Sequence, residues 1–406
     1  MPRPRALTTT LVALGVFLAA SVASAQVPGR SLGNTLFPEL PARGPVVVYP
    51  FLLLGVEYND NIFLSNAQKK SDFIGTVTPG LQVVLESTTY RWNAGGSVTG
   101  EKYLDHDELD STVQRYSFFI NGSHRITPRF TLTLNEFFVE DKNTNLIGTD
   151  TAVIAVGRRK ARSNSLAPGF LWTFAPKTSL RVEAGWSLQR YDDPLARDSD
   201  IYRLTTDVLH EFNSRFTGII GYEGRYLDVE RQLPVTTHTL RLGAAYRFTP
   251  FTTGTIVLGP TVRTTKHESP ELSPFFDAAL TTLWGWGSTT VFATHSVGTA
   301  GGVGGTTENT SVGALLQMTA LVRDLVIEVG PRYSMSKSAG GGDAIDVRSI
   351  TLDARVAYRF TSWFAGVAGY RFFMQRSDST GTTLAGDIDQ NRAYVGAQFG
   401  YPFKFD

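Results

Sequence analysis

The sequence alternates. From about Val48 onward, apolar and polar side chains change places residue by residue over long stretches. In one hairpin Phe73, Val77, Leu81, Val83 and Leu85 share a face, and Asp72, Thr76, Thr78, Gln82 and Glu86 share the other. Ser87-Thr88-Thr89 forms a short polar turn, after which Tyr90, Trp92, Ala94 and Val98 oppose Arg91, Asn93, Ser97 and Glu101. The pattern returns in Leu180, Val182, Ala184, Trp186 and Leu188, and again in Ile350, Leu352, Ala354, Val356, Tyr358 and Phe360. Successive side chains of a strand point to opposite faces, so each stretch builds a sheet that is greasy on one side and wet on the other. No stretch keeps the 3.6-residue period of a surface helix.

Alternation alone suits any half-buried sheet. Three further features predict a transmembrane antiparallel β-barrel. The strands run to about 12–16 residues, where soluble sheets favour about 5–6 and a tilted membrane strand needs about 9–11. The connections alternate in length. Tight turns fall at Thr127-Pro128-Arg129, Pro176-Lys177, Ser214-Arg215, Pro250-Phe251, Gly287, Arg323-Asp324 and Thr361-Ser362, with longer polar loops between them. Short turns at one end and long loops at the other are the bacterial outer-membrane arrangement. Aromatic residues also gather beside the short turns, among them Trp172, Phe174, Phe212, Tyr246, Phe248, Trp284, Tyr358, Phe360 and Trp363. Such residues form girdles at a membrane interface. A short repeat, Ala-Tyr-Arg-Phe-Thr at 245–249 and 357–361, precedes two of these turns. It predicts Tyr and Phe outward with Arg inward.

Strands are expected to begin near residues 48, 71, 90, 111, 130, 161, 179, 199, 216, 234, 252, 273, 288, 309, 324, 346, 363 and 389. That makes an all-β barrel of about 18 strands. Sixteen is the alternative, because the first strand and the Gly-rich strand near 288–300 are the least regular.

The N-terminus reads as an export signal. Arg3 and Arg5 precede an apolar run from Leu7 to Ala20, and Ala23-Ser24-Ala25 offers a small-residue cleavage site. The expected division is a cleaved signal over 1–25, a Pro-containing periplasmic segment over 26–47 and the barrel over 48–406. Cleavage removes two arginines and no acid, so 38 basic and 37 acidic residues become 36 and 37. This balance argues against a nucleic-acid partner. Charged residues make up 18% of the chain, below the roughly 25% of ordinary domains. With no Cys, there is no disulfide framework.

If the polar face of each strand turns inward, the lumen carries Arg91, Arg115, Arg181, Arg203, Arg225, Arg241, Arg355 and Arg371, with Arg332 also on that face. The acids Glu183, Asp207, Glu223, Glu328 and Asp353 join them, as does Asp277. A barrel of this size is wide enough for a water-filled channel, and charges of both signs would orient polar solutes. Guanidinium suits carboxylate or phosphate, which implies a constriction with mild anion preference. The same charges could instead simply pair with one another. The loop over 144–160, with Arg158, Arg159 and Lys160, is the best candidate for folding into the pore. It could equally meet lipopolysaccharide phosphates.

Nothing in the chain calls for catalysis or a cofactor. None of the six histidines, His106, His124, His210, His238, His267 and His295, stands in a metal-ligand spacing. No nucleophile elbow is present. The acids of 105–110 lack the spacing of a calcium loop, and the Gly-rich stretch from Gly298 to Gly305 has no following Lys-Ser/Thr pair.

Two resemblances close the reading. Gly400, Tyr401, Phe403 and Phe405 resemble the Gly-x-x-aromatic-x-aromatic ending by which outer-membrane barrels are recognised, implying the barrel-assembly machinery as a partner. Phe399 and Asp406 depart from that pattern. The opening strand, Gly55-Val56-Glu57-Tyr58-Asn59-Asp60-Asn61-Ile62-Phe63, is similar to that of the β-barrel porin 2 family of outer-membrane proteins. Membership would imply location and architecture more than a substrate. Two functions follow as expectations: a channel for small polar solutes, or an accessory barrel for exopolysaccharide export with its own export partners.

Overall fold

The computed structural model describes residues 46–67, 69–146, 154–339, 345–378 and 386–405. The expected signal over 1–25 and the segment over 26–45 lie outside the described residues. Eighteen long strands follow one another. The first six are β1 (Val46–Asn59), β2 (Asp72–Glu86), β3 (Tyr90–Tyr103), β4 (Ser111–Thr127), β5 (Phe130–Asn143) and β6 (Arg158–Ala175). The next six are β7 (Thr178–Tyr191), β8 (Ser199–Glu211), β9 (Phe216–Val229), β10 (Val235–Thr249), β11 (Thr252–Thr265) and β12 (Glu271–Trp284). The last are β13 (Gly287–Thr299), β14 (Thr306–Met318), β15 (Leu325–Ser338), β16 (Asp346–Arg359), β17 (Phe364–Ser377) and β18 (Ile388–Gly400). A short extension, Phe403–Phe405, continues β18 along β1 beyond Tyr401-Pro402. Pro402 thus sits in a break in the ladder, where its missing N–H is harmless.

Each strand pairs antiparallel with the next, and β18 pairs with β1, so the sheet closes on itself. Closure leaves no strand edge unpaired, the condition a sheet must meet in hydrocarbon. Eighteen strands replace the alternative of sixteen. The first strand is fully regular, paired with β2 from Val46↔Leu85 to Asn59↔Asp72. One expected turn shifts: Gly287 opens β13, and the turn is Gly285-Trp286.

Alternation decides the faces. On β1, Leu52, Leu54, Val56 and Tyr58 are exposed outward, while Tyr49, Phe51, Leu53, Glu57 and Asn59 are buried inward. The same parity runs round the barrel, with exposed aliphatics such as Leu240, Leu242, Ile256, Leu258 and Leu280 on the outside. Hydroxyls form rungs on the inside, as in Thr78–Thr99 at 2.9 Å, Thr239–Thr261 at 2.8 Å and Ser311–Ser334 at 2.8 Å. Some polar pairs on the outer face break the rule. Glu136 and Asn164 face outward, and the Asn164 amide donates to the Glu136 carboxyl at 2.5 Å. Each gives the other a partner that the surrounding apolar wall cannot.

The turns at the rim of Val46 and Phe405 are built on rings laid over glycine. Phe212, Phe248 and Phe360 each cover the position a Cβ would occupy at Gly218, Gly254 and Gly366, the third residue of the strand after each turn. Each ring also meets an aromatic two residues earlier, edge to face: His210 at 4.8 Å, Tyr246 at 5.0 Å and Tyr358 at 4.9 Å. The Ala-Tyr-Arg-Phe-Thr repeat is therefore a structural repeat. Its third copy, at His210, does not resemble it in sequence.

At the opposite rim the loops turn inward. Pairing of β12 with β13 ends at Phe276↔His295, although β13 continues beside β14 to Thr299. The freed hairpin tip crosses the lumen. The Val297 carbonyl accepts from Arg225 of β9 at 3.1 Å, and the Arg197 N–H donates to the Gly302 carbonyl at 2.8 Å. The β5–β6 connection crosses as well. Ala155 donates its N–H to the Gln375 side chain at 2.8 Å and accepts from it at 3.0 Å, while the Asn145 amide donates to Gln390 at 2.9 Å. The two glutamines belong to β17 and β18, well round the wall from β5 and β6. Ile154, Val156, Ala300, Val303, Ile345 and Val347 meet there as a small apolar core.

Candidate functional site: the charged lumen

Below those loops the inner wall carries the charges expected from the alternation, and the structure shows how they sort. The largest group spans β7 to β10. Arg181 donates to Asp207 at 2.5 Å, and Arg241 reaches Asp207 at 3.1 Å and Glu223 at 3.5 Å. Arg225 holds Glu223 at 2.7 Å, Thr205 donates to Glu223 at 3.2 Å, and Arg203 donates to Glu183 at 2.8 Å. Asp207 is fully buried between its two guanidiniums. Two carboxylates shared among three arginines make one connected network, in which each charge is desolvated and each is paired.

A second group lies on β14 to β17. Arg355 pairs with Glu328, which also accepts from Gln317 at 2.9 Å, and Arg371 pairs with Asp353. A third straddles the closing seam. Arg392 of β18 clamps Glu57 of β1 through two bonds, at 2.7 and 2.8 Å. Arg115 pairs with Asp141 nearby, and Glu101 accepts from the Tyr103 hydroxyl at 2.8 Å. Arg91 faces inward beside Glu86, its cross-strand neighbour at the turn end. Every expected lumen position thus faces inward, and the acids sit beside the arginines rather than across the pore from them. Glu57, Asp141 and Arg392 were not among the candidates. Their signal was present in the alternation, but their partners lie on other strands.

The wall charges and the outward grease together decide the setting. This is a membrane-spanning β-barrel. No protein-family model matches the chain, and no curated protein does. Among solved structures it is similar to the Acinetobacter baumannii protein OccAB4, at 10% identity over 89% of this chain and 100% of that one, with a TM-score of 0.43. It is also similar to Pseudomonas aeruginosa OccK2 (OpdF), solved in complex with glucuronate, at 11% identity over 88% and 98% of the two chains and a TM-score of 0.45. P. aeruginosa OpdL gives 11% identity, 87% and 99% coverage and a TM-score of 0.41. These are likenesses of barrel form alone.

The expected inward loop does fold inward in its described parts, but not through its basic run. Arg158 lies over the Tyr103 ring at 5.3 Å, Arg159 pairs with Asp193, and Lys160 holds Glu140 at 3.0 Å on the outer face. The crossing is made by Ile154, Ala155 and Val156. Residues 147–153 lie outside the described residues. Other loops are tied by charge. The Lys102 ammonium, at 2.6 Å, and the Tyr103 N–H, at 2.8 Å, hold the Asp110 carboxyl below the usual carboxylate range. In the β14–β15 turn Arg359 does the same for Asp324. Both tethers therefore stay intact above that range and loosen only as the pH falls through the lowered values.

At the seam, Gly400 lies under the inward Tyr49 ring, and Tyr401, Phe403 and Phe405 are exposed on the outward side. Tyr401 and Phe403 meet edge to face at 5.6 Å.

Proposed function

We propose that this barrel is a channel through which small polar solutes cross the outer membrane. The observation that carries the reading is the lumen. Its mid-section is lined by arginine–carboxylate networks and hydroxyl rungs, beneath loops that narrow the way in. A barrel serving only as a scaffold has no need to desolvate so many charges on its inner wall, because burying ion pairs gains little stability over apolar packing. Paired arginines and acids instead set up a lateral field that turns a dipolar solute as it passes. The outward aromatic ending of β18 supports a second part of the proposal, that Tyr401, Phe403 and Phe405 are what the barrel-assembly machinery reads.

The test is electrical. The refolded protein in a planar bilayer should give discrete conductance steps, with a reversal potential in a salt gradient shifted toward anions. Changing Arg225 and Arg355 together to Ser takes one guanidinium each from Glu223 and Glu328, and should move that potential toward cations. Absence of any conductance from correctly folded protein would overturn the channel reading.

A further inference from the structure

Most charges on the inner wall at mid-barrel are hydrogen-bonded to a partner there. Two are not. Among the described residues, neither Asp277 of β12 nor Arg332 of β15 has a hydrogen-bonded counter-ion. Asp277 is attracted by Arg241 and repelled by Glu223 without touching either. Arg332 feels Asp353, but Asp353 is bonded to Arg371. The guanidinium of Arg332 lies instead on the face of Phe292, 5.3 Å from its centroid. Phe292 is itself laid over Gly313, so the ring rests on the bare backbone of β14 and forms a flat seat. A guanidinium stacked this way is held in place while its N–H edges stay open to a ligand.

The two unmatched charges stand on the same stretch of wall. Asp277 is opposite Thr294, and that row continues through Ser311 to Ser334. Arg332 is two residues along β15 from Ser334, on the same face. Three strand spacings of ~4.8 Å and a two-residue offset of ~3.4 Å per residue separate the two backbones by about 16 Å. The side chains take up part of that distance. The remainder is on the order of the length of a short alkyl chain with a charged group at each end. One acid and one base are left over, so a solute of one sign would satisfy only one of them.

Resting on the channel reading, we propose that Asp277, Phe292 and Arg332 form a two-point docking site for small zwitterions. The carboxylate of the solute lies against the edge of Arg332 in a bidentate contact, and its ammonium reaches Asp277. Phe292 lies under the guanidinium and holds its edge toward the solute. The site favours solutes whose two charges are several carbons apart, and passes simple anions without that second contact.

Calorimetric titration of the refolded barrel in detergent tests this, with 6-aminohexanoate, hexanoate and hexylamine as probes. The expected result is 6-aminohexanoate binding at least about tenfold more tightly than either single-charge probe, a difference of about 1.4 kcal/mol. Asp277→Asn should bring it to the level of hexanoate, and Arg332→Gln to the level of hexylamine. Phe292→Leu keeps both charges and should weaken 6-aminohexanoate and hexanoate alike. Equal binding of 6-aminohexanoate and hexanoate by the unchanged protein overturns the proposal. So does full retention of 6-aminohexanoate binding in folded Asp277→Asn or Phe292→Leu protein. Binding in detergent requires no conduction. A barrel that binds but does not conduct refutes the channel and leaves the site standing, and one that conducts without binding does the reverse.

Discussion

Single residues in this wall act through the partner they leave behind. Arg392 is buried at the closing seam with both Glu57 oxygens on it. Removing Glu57 strands the guanidinium in a desolvated place, and losing one member of such a pair costs about 3–5 kcal/mol. Glu57→Ala should therefore lower the unfolding free energy of the refolded barrel by that amount, read as a lower urea midpoint. The double change Glu57→Leu with Arg392→Met should recover most of the loss, because it removes both charges together. If the double variant is no more stable than the single one, the clamp is not what the alanine change damaged. The residue scale is also where the sequence was least informative. Alternation placed Arg181, Asp207, Arg241 and Glu223 on the inner face correctly, but said nothing of which pairs with which. Arg241 and Asp207 are 34 positions apart, and Glu57 and Arg392 are 335. Nothing local announces such partners.

Strands and turns were far more legible. Strand starts read from polarity lie within three residues of those observed, from the expected 161 against Arg158 to 388 against the expected 389. The reason is physical: a strand that passes between lipid and a wet lumen must alternate along its whole length, so its ends are where alternation stops. The turn motif shows the limit. Two copies were visible as Ala-Tyr-Arg-Phe-Thr, yet the conserved geometry is a ring, a Phe two residues on and a Gly six after that. Gly254 is needed because the Phe248 ring already fills the place of its Cβ. Gly254→Val should displace that ring from the rim and destabilise the barrel by about 1–3 kcal/mol, as overpacking does. Heat-dependent gel mobility across a temperature series would show this as an earlier transition. Gly285→Val, in open space at a neighbouring turn, is the control and should be near neutral.

For the whole molecule, the barrel was readable and its interior traffic was not. The crossing of the β5–β6 loop depends on Gln375 meeting Ala155, 220 positions away. The basic run that drew attention in this loop proved to be tied locally. The crossing itself is made by a plain apolar triplet, which in sequence looks like any other. Gln375→Ala leaves the Ala155 N–H without its partner in a buried setting, a cost of about 1–3 kcal/mol that favours release of the loop. Single-channel recordings should then show larger steps and more open-state noise than the unchanged protein. Identical steps would mean that the crossing does not limit flow.

The seam has one more consequence. Val46 opens β1 and lies opposite Phe405 at the far end of the fold. Until those two distant stretches meet, the growing sheet is an open ribbon with a bare strand at each edge, ready to pair with a neighbouring chain. Closure is thus a late event that no earlier hairpin can substitute for. A chain released before β18 would not be a smaller pore but an aggregation hazard, so the last strand made decides whether all the others were worth inserting.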